Sequence, residues 1–274
     1  MKNVLIILGM HRSGTSLISA WLSKCNLNLG DRLGGPDDIG NKLGHYEDLD
    51  FLDLHQEILE QNNILKRGLV PPFEFELNEH DYKKLQENLR SKSALYDEWG
   101  WKEPRTCLFL RYYSELLPEA KYLISYRDYQ FVVESLMRRD INRMLRNYKK
   151  LSYHNQIKQA DHFEEEMNKV ISLKDTYLST WIIYNQKILD LISSIDNEHY
   201  LLTKHSDLNK DDTLVFKCLR LWGFNLSYYP FNSIFDTELI NEELPDIVFD
   251  KQLESEAIAI SEKINEIYHS LHER

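Results

Sequence analysis

Gly9-Met10-His11-Arg12-Ser13-Gly14-Thr15-Ser16 follows directly on the apolar run Val4 to Leu8, and its reading decides the fold. Gly9, Gly14 and Ser16 occupy the first glycine, the last glycine and the hydroxyl of G-x-x-x-x-G-K-[ST], the loop that cradles phosphates. Thr15 stands where a nucleoside triphosphatase has its lysine. Leu17, Ile18, Ala20, Trp21 and Leu22 continue at helical spacing, so the loop sits between a buried strand and a helix. There, backbone N–H groups and the positive end of the helix dipole converge on one anion. Without the lysine another cation must reach the anion's oxygens, and Arg12 is the nearest one. The competing reading is an ordinary strand-turn-helix connection with convenient glycines.

The remaining chain is consistent with a local anion site in an acidic globular protein. Its 274 residues are 42% hydrophobic, 12% aromatic and 28% charged, with a formal net charge of -11. That length suits a single α/β domain over 1–274 with insertions, and the composition is that of a packed chain and not a disordered one. The negative balance argues against general nucleic-acid binding, which relies on neutralising phosphates. Cys25, Cys107 and Cys218 are widely spaced and odd in number, which indicates neither a disulfide framework nor a zinc site. Lys2 with Val4 to Leu8 faintly resembles a secretion signal, but Gly9, His11 and Arg12 interrupt it. No stretch approaches the roughly 18 apolar residues of a membrane span. The expectation is a soluble cytoplasmic protein.

Strand and helix signals alternate outward from the loop. A second short strand is expected over Asn26 to Gly30, then a mobile Gly/Pro/Asp/Asn loop over Asp31 to Gly44, then a helix from Asp48 to about Gln61. Residues 62–80 lack periodicity, Asp81 to Leu95 is an amphipathic helix, and Trp99 to Arg105 is a short strand turned at Pro104. Thr106 to Leu117 reads as helix and Ala120 to Tyr126 as a buried strand. Asp128 is placed to cap the helix that follows. Residues 151–172 read as a polar surface insertion, Leu173 to Ile195 as a long packed helix, and Tyr200 to Thr203 as the last strand. A helix to Leu221 and another over Lys251 to His269 complete the pattern. The expected fold is therefore α/β: a three-layer parallel sheet flanked by helices, P-loop NTPase-like, with helical insertions.

Ligands of open parallel sheets bind beyond the carboxyl ends of the strands. Polar groups stand at four such ends: Arg12/Ser13/Thr15/Ser16, Lys102/Arg105, Arg127, and Lys204/His205. Their order and spacing resemble the sulfotransferases that use 3'-phosphoadenosine 5'-phosphosulfate (PAPS), in their bacterial and carbohydrate-type members. Gly9 to Ser16 is similar to that family's 5'-phosphosulfate loop, Gly44-His45-Tyr46-Glu47 to its G-[aromatic]-[aromatic]-E segment, and Trp101-Lys102-Glu103-Pro104-Arg105 to a W-x-K-x-P-R strand end. Arg127 with Ser135 is similar to its 3'-phosphate pair, and Thr203 to Leu208 weakly echoes a Y-E-D-L turn. Tyr129 stands where the family commonly has proline after its arginine, and no late R-K-G motif is present.

The resemblance implies PAPS as donor, 3',5'-adenosine bisphosphate as product and no metal. It implies in-line transfer to an acceptor hydroxyl or amine on a carbohydrate, glycolipid, peptide or small natural product. Gly9, His11, Arg12, Ser13, Gly14, Thr15, Ser16, Arg127 and Ser135 would bind the donor. Arg12 and Lys102 would stabilise charge, and Glu47 would act as base with His45 second. From position alone Glu47 is equally a capping charge for the next helix, and His11 an alternative base or a support for the loop. Arg105 is expected to buttress the site through an ion pair. The run Arg138, Arg139, Arg143, Arg146, Lys149 and Lys150 reads by default as a solvated face. Part of it, Arg138 or Arg139 first, is expected to supplement the 3'-phosphate site or meet an anionic acceptor. The alternatives on the same fold are a nucleotide-dependent kinase, disfavoured by Thr15, and a non-catalytic nucleotide-binding scaffold.

Overall fold

The computed structural model describes residues 2–36, 44–234 and 246–273, and for Tyr153 and His205 the backbone alone. In chain order the elements are β1 (Asn3–Leu8), α1 (Thr15–Lys24), α2 (Leu49–Gln61), α3 (Glu79–Leu95), β2 (Glu98–Lys102) and a 3-10 turn (Pro104–Phe109). Next come α4 (Leu110–Leu116), β3 (Lys121–Ser125), α5 (Tyr129–Lys149), α6 (Tyr153–Lys158), α7 (Ala160–Ser172), α8 (Lys174–Ser194) and β4 (Tyr200–Thr203). The chain continues through α9 (His205–Leu208), α10 (Thr213–Leu221), a 3-10 turn (Phe231–Ser233) and α11 (Lys251–His272).

The strands pair in parallel in the order β2-β1-β3-β4. Alternation along β1 divides the core between the two faces. Val4, Ile6 and Leu8 pack with residues of α2, α5, α8 and α11, whereas Leu5 and Ile7 pack with α1 and α10. The result is the expected three-layer α/β architecture. The chain leaves β1 toward β2 on one side and returns to β3 on the other, so β1 marks the switch point where a crevice opens beyond the strand ends. Register brings Ile7 opposite Lys102, Leu8 opposite Ile124 and Ser125 opposite Thr203, which places the carboxyl ends of all four strands at one edge.

The structure departs from the sequence expectations in two places. No strand forms over Asn26 to Gly30: both ends are left-handed, at φ 70 for Asn26 and φ 112 for Gly30. One ladder-like bond remains, from Gly100 N to Asn28 O at 2.9 Å, while Leu27 and Leu29 are buried beneath α1. Strand β2 stops at Lys102, and Pro104 opens a 3-10 turn before α4. The polar insertion expected at the surface is there, built of the largely exposed helices α6 and α7. The helix expected to end at Leu221 is α10, and before it the Thr213 amide and hydroxyl donate to Asp211 Oδ1 at 2.9 and 2.6 Å.

Half of the loop expected to be mobile, residues 37–43, lies outside the described residues, as does the His205 side chain. Cys25, Cys107 and Cys218 are free thiols, and burial pushes the first two up to about 11 and about 12. Among the described residues no helix is long and apolar enough to cross a membrane.

Candidate active site

The loop after β1 is shaped by three residues in left-handed or glycine-favouring conformations: Gly9 at φ 150, Arg12 at φ 70 and Gly14 at φ 92. A Cβ on Gly9 would lie 2.6 Å from Ser125 O and 2.8 Å from Thr15 Cγ2, so only glycine lets the loop pass this close to β3. Gly14 is the N-cap of α1 and offers no side-chain cap. Leu17 N and Ile18 N donate to Gly14 O at 3.0 and 3.2 Å, closing the first turn of the helix whose positive end faces the loop. Ser125 Oγ donates to Ser13 O at 2.6 Å, tying the loop to the end of β3.

A cavity of about 360 Å³ opens over this loop. Its lining includes His11, Arg12, Gly14, Thr15, Ser16, His45, Glu47, Lys102 and Arg127 of the residues singled out in the sequence, together with Arg105. Gly9, Ser13 and Ser135 stand behind the wall. The Ser13 and Ser135 side chains are buried, and Ser135 Oγ accepts from Arg12 Nε at 2.9 Å. Arg127 Nη1 donates to Arg12 O at 3.1 Å, so the residue pair expected at one phosphate also grips the loop expected at the other.

At the centre, Lys102 Nζ lies 3.1 Å from Ser16 Oγ and 3.2 Å from Glu47 Oε1. Lys102 is buried, and burial lowers its pKa, with the Glu47 carboxylate opposing that shift. Glu47 is set by backbone pairing: its carbonyl accepts from Gly34 N at 2.8 Å, and the next amide, Asp48 N, donates to Lys102 O at 3.3 Å. The cap of α2 is Asp48, whose side chain accepts from Asp50 N. Glu47 is therefore not consumed as the helix cap and its carboxylate faces the lysine.

Behind the cavity lies a buried chain of polar groups that spacing alone did not reveal. Arg105 Nη1 is ion-paired to Glu103 Oε1, and its Nε donates to Lys66 O at 2.6 Å. Glu103 Oε2 meets His55 Nδ1 at 2.6 Å, and His55 Nε2 meets the Tyr113 hydroxyl at 2.7 Å. Burial alone would raise the Glu103 carboxyl, but Arg105 and His55 hold it below its usual range. Arg105 is thus both buttressed and part of the wall.

Sequence reasoning missed Arg67 and Leu69, which sit in the aperiodic segment 62–80. Packing against α8 fixes this segment: Tyr184 OH donates to Gly68 O at 2.8 Å and Thr180 Oγ1 to Leu69 O at 3.0 Å. Gly68, at φ 60, turns the chain here, and a glycine in an aperiodic segment is the signal the sequence carries for it. Of the two arginines favoured on α5, Arg139 lines the cavity, whereas Arg138 pairs with Glu134 at 3.2 Å.

The lining holds Arg12, Arg67, Lys102, Arg105, Arg127, Arg139 and Arg143 against one carboxylate, Glu47. In a chain of net charge -11 this concentration of cations marks an anion-binding cavity. Two buried polar atoms at its wall, His11 Nε2 and Arg139 Nη2, have no hydrogen-bond partner among the described residues. Burial, and then Arg105, Arg139, Lys102 and Arg67, hold His11 well below its ordinary pKa. Among the described residues no group of three His, Cys, Asp or Glu side chains is placed to hold a metal ion.

No protein-family model matches the chain, and no curated protein matches it by sequence. Solved structures do match its shape. The sulfotransferase domain of the olefin synthase from Synechococcus PCC 7002 aligns with a TM-score of 0.52 at 18% identity, over 97% of this chain and 96% of that one. The sulfotransferase domain from the curacin biosynthetic pathway aligns with a TM-score of 0.50 at 14% identity, over 97% and 98%. A sulfotransferase from Mycobacterium avium aligns with a TM-score of 0.51 at 14% identity, over 85% of this chain and 66% of the other. With its parallel sheet, its glycine loop at the switch point and helices on both faces, the chain has the sulfotransferase fold.

Proposed function

We propose that this protein is a sulfotransferase that moves a sulfuryl group from PAPS to an acceptor hydroxyl or amine. The observation that carries the reading is the placement of Lys102 Nζ within hydrogen-bond distance of both the loop hydroxyl of Ser16 and the carboxylate of Glu47. It joins an anion cradle to a candidate base inside one cation-lined cavity. The donor, when bound, supplies the sulfuryl group and a phosphate leaving group. Anionic character, two ends bearing phosphate and a need for preorganised cations fit the residues present.

In this reading Gly14, Thr15 and Ser16 at the start of α1 hold the 5'-phosphate, with Arg12 and Lys102 neutralising charge that develops toward the leaving oxygen. Arg127 takes the 3'-phosphate, and Ser135 fixes Arg12 beside it. Glu47 accepts the acceptor's hydroxyl proton as the new O–S bond forms and the bond from sulfur to the phosphate oxygen breaks. His45 also lines the cavity and is the second candidate for that proton. Thr15, buried where a kinase has its lysine, gives no cation for a γ-phosphate. We further propose that residues 1–274 form one such domain, acting without a metal and in the cytoplasm.

The test is transfer of labelled sulfate from PAPS to a panel of carbohydrates, glycolipids, peptides and small hydroxylated products. Label transferred to at least one class, and lost in Glu47→Gln, supports the reading. Binding of 3',5'-adenosine bisphosphate without transfer to any class would favour a nucleotide-binding scaffold.

A further inference from the structure

A second group of arginines occupies the cavity beyond the residues assigned to the donor. On α5, Ser135, Arg139 and Arg143 recur at four-residue intervals and so form one stripe, each step advancing about 6 Å along the axis. Ser135 closes the stripe at the glycine loop through Arg12. One step on, Arg139 Nε reaches Asp140 Oδ1 at 3.2 Å, and Arg67 Nη2 reaches the same oxygen at 3.0 Å. The Tyr177 hydroxyl donates to Asp140 Oδ2 at 2.7 Å. One carboxylate therefore serves two guanidinium groups and a phenol, and it cannot neutralise both cations. Among the described residues Arg139 Nη2 has no partner and is buried, and Arg143, at the exposed end of the stripe, also lines the cavity.

Arg139 and Arg143 continue the stripe away from Ser135, one and two helical steps beyond the expected 3'-phosphate pair. Arg67, Arg139 and Arg143 line the same cavity as Lys102 and Glu47. An unpaired cation there is stabilised by an anion arriving with the acceptor.

We propose that Arg67, Arg139 and Arg143 form an acceptor subsite for an oxyanion group, a carboxylate, sulfate or phosphate, carried by the substrate whose hydroxyl is sulfated. The proposal rests on the sulfuryl-transfer reading and narrows its acceptor to an anionic class. Anchoring the charged group on α5 and the 66–69 turn orients the hydroxyl toward Glu47, so binding energy away from the reacting atoms is used for alignment.

The test is calorimetry on the intact chain, first with 3',5'-adenosine bisphosphate and then, at saturation with it, with inorganic sulfate. Arg67→Gln, Arg139→Gln and Arg143→Gln are compared with the parent protein. The expected result is bisphosphate affinity within about twofold of the parent, and sulfate affinity of the loaded protein lowered about tenfold for each arginine removed. Arg143 is exposed and makes no demand on Asp140, so its variant reads the subsite even where a change at Arg139 unfolds the chain. A tenfold loss of bisphosphate affinity would instead assign these arginines to the donor and overturn the proposal while leaving the transfer reading standing. Sulfate affinity equal in parent and variants, or no sulfate bound by the loaded parent, would also overturn it. Failure of the parent to bind the bisphosphate at all would remove the transfer reading and this inference together.

Discussion

Arg12 Nε donates to Ser135 Oγ at 2.9 Å, joining the loop after β1 to the second turn of α5. The bond holds a guanidinium whose backbone is in a left-handed conformation and whose carbonyl is gripped by Arg127. Ser135→Ala is expected to leave the fold intact and to weaken 3',5'-adenosine bisphosphate binding about tenfold, the effect of one hydrogen bond to a charged group. Calorimetry on the variant checks this, and unaltered affinity would show that Arg12 needs no such anchor.

Glu47 and Lys102 form the second pair. Glu47→Gln is expected to lower kcat by roughly 10²- to 10⁴-fold with little change in bisphosphate affinity. The same variant tests the electrostatics: burial lowers the Lys102 pKa from the ordinary 10.5 and Glu47 raises it back. Removing the carboxylate must therefore move the lysine's titration to still lower pH. The Lys102 side-chain carbon resonance followed against pH gives the answer, and an upward shift would contradict the pairing.

Much of this arrangement was legible in the sequence because it rests on local signals. The strand-glycine loop-helix context of Gly9 to Ser16 placed the cradle, and Lys102, Arg127 and Glu47 were found at strand or loop ends. What was not legible depends on packing. The segment 26–30 has the apolar alternation of a strand, yet left-handed Asn26 and Gly30 prevent pairing. Arg67 enters the cavity because Tyr184 and Thr180 of α8 pin an aperiodic turn. His55 looks like one polar position on an amphipathic helix, and its bond to Glu103 appears only when α2 meets the end of β2.

That buried chain has its own consequence. Glu103 is fully buried between Arg105 and His55, so Glu103→Gln leaves a buried guanidinium without its counter-charge. The expected loss of stability is about 3–5 kcal/mol in urea unfolding. A change below about 1 kcal/mol would place Arg105 in contact with water and outside the wall.

His11 gives a pH signature. Its pKa lies well below the ordinary 6.5, through burial and then four nearby cations. The unfolded chain therefore binds a proton at this residue near pH 6.5 while the folded chain does not. Its contribution to stability is intact above that pH and declines as pH falls from 6.5 toward the folded value. An anionic ligand offsets the surrounding cations, so saturation with the bisphosphate should raise the His11 pKa, followed by histidine NMR. A fall on ligand addition would mean that the anion binds elsewhere.

The central claim is that the loop from Gly9 to Ser16, with Arg12 and Lys102 in place of an NTPase lysine, is built for a 3'-phosphorylated adenosine donor. Calorimetry of the unaltered chain with 3',5'-adenosine bisphosphate, set against ATP with Mg²⁺, tests it most directly. The account predicts tight binding of the bisphosphate and at least about tenfold weaker binding of ATP. Tight binding of ATP with no response to the bisphosphate would contradict it.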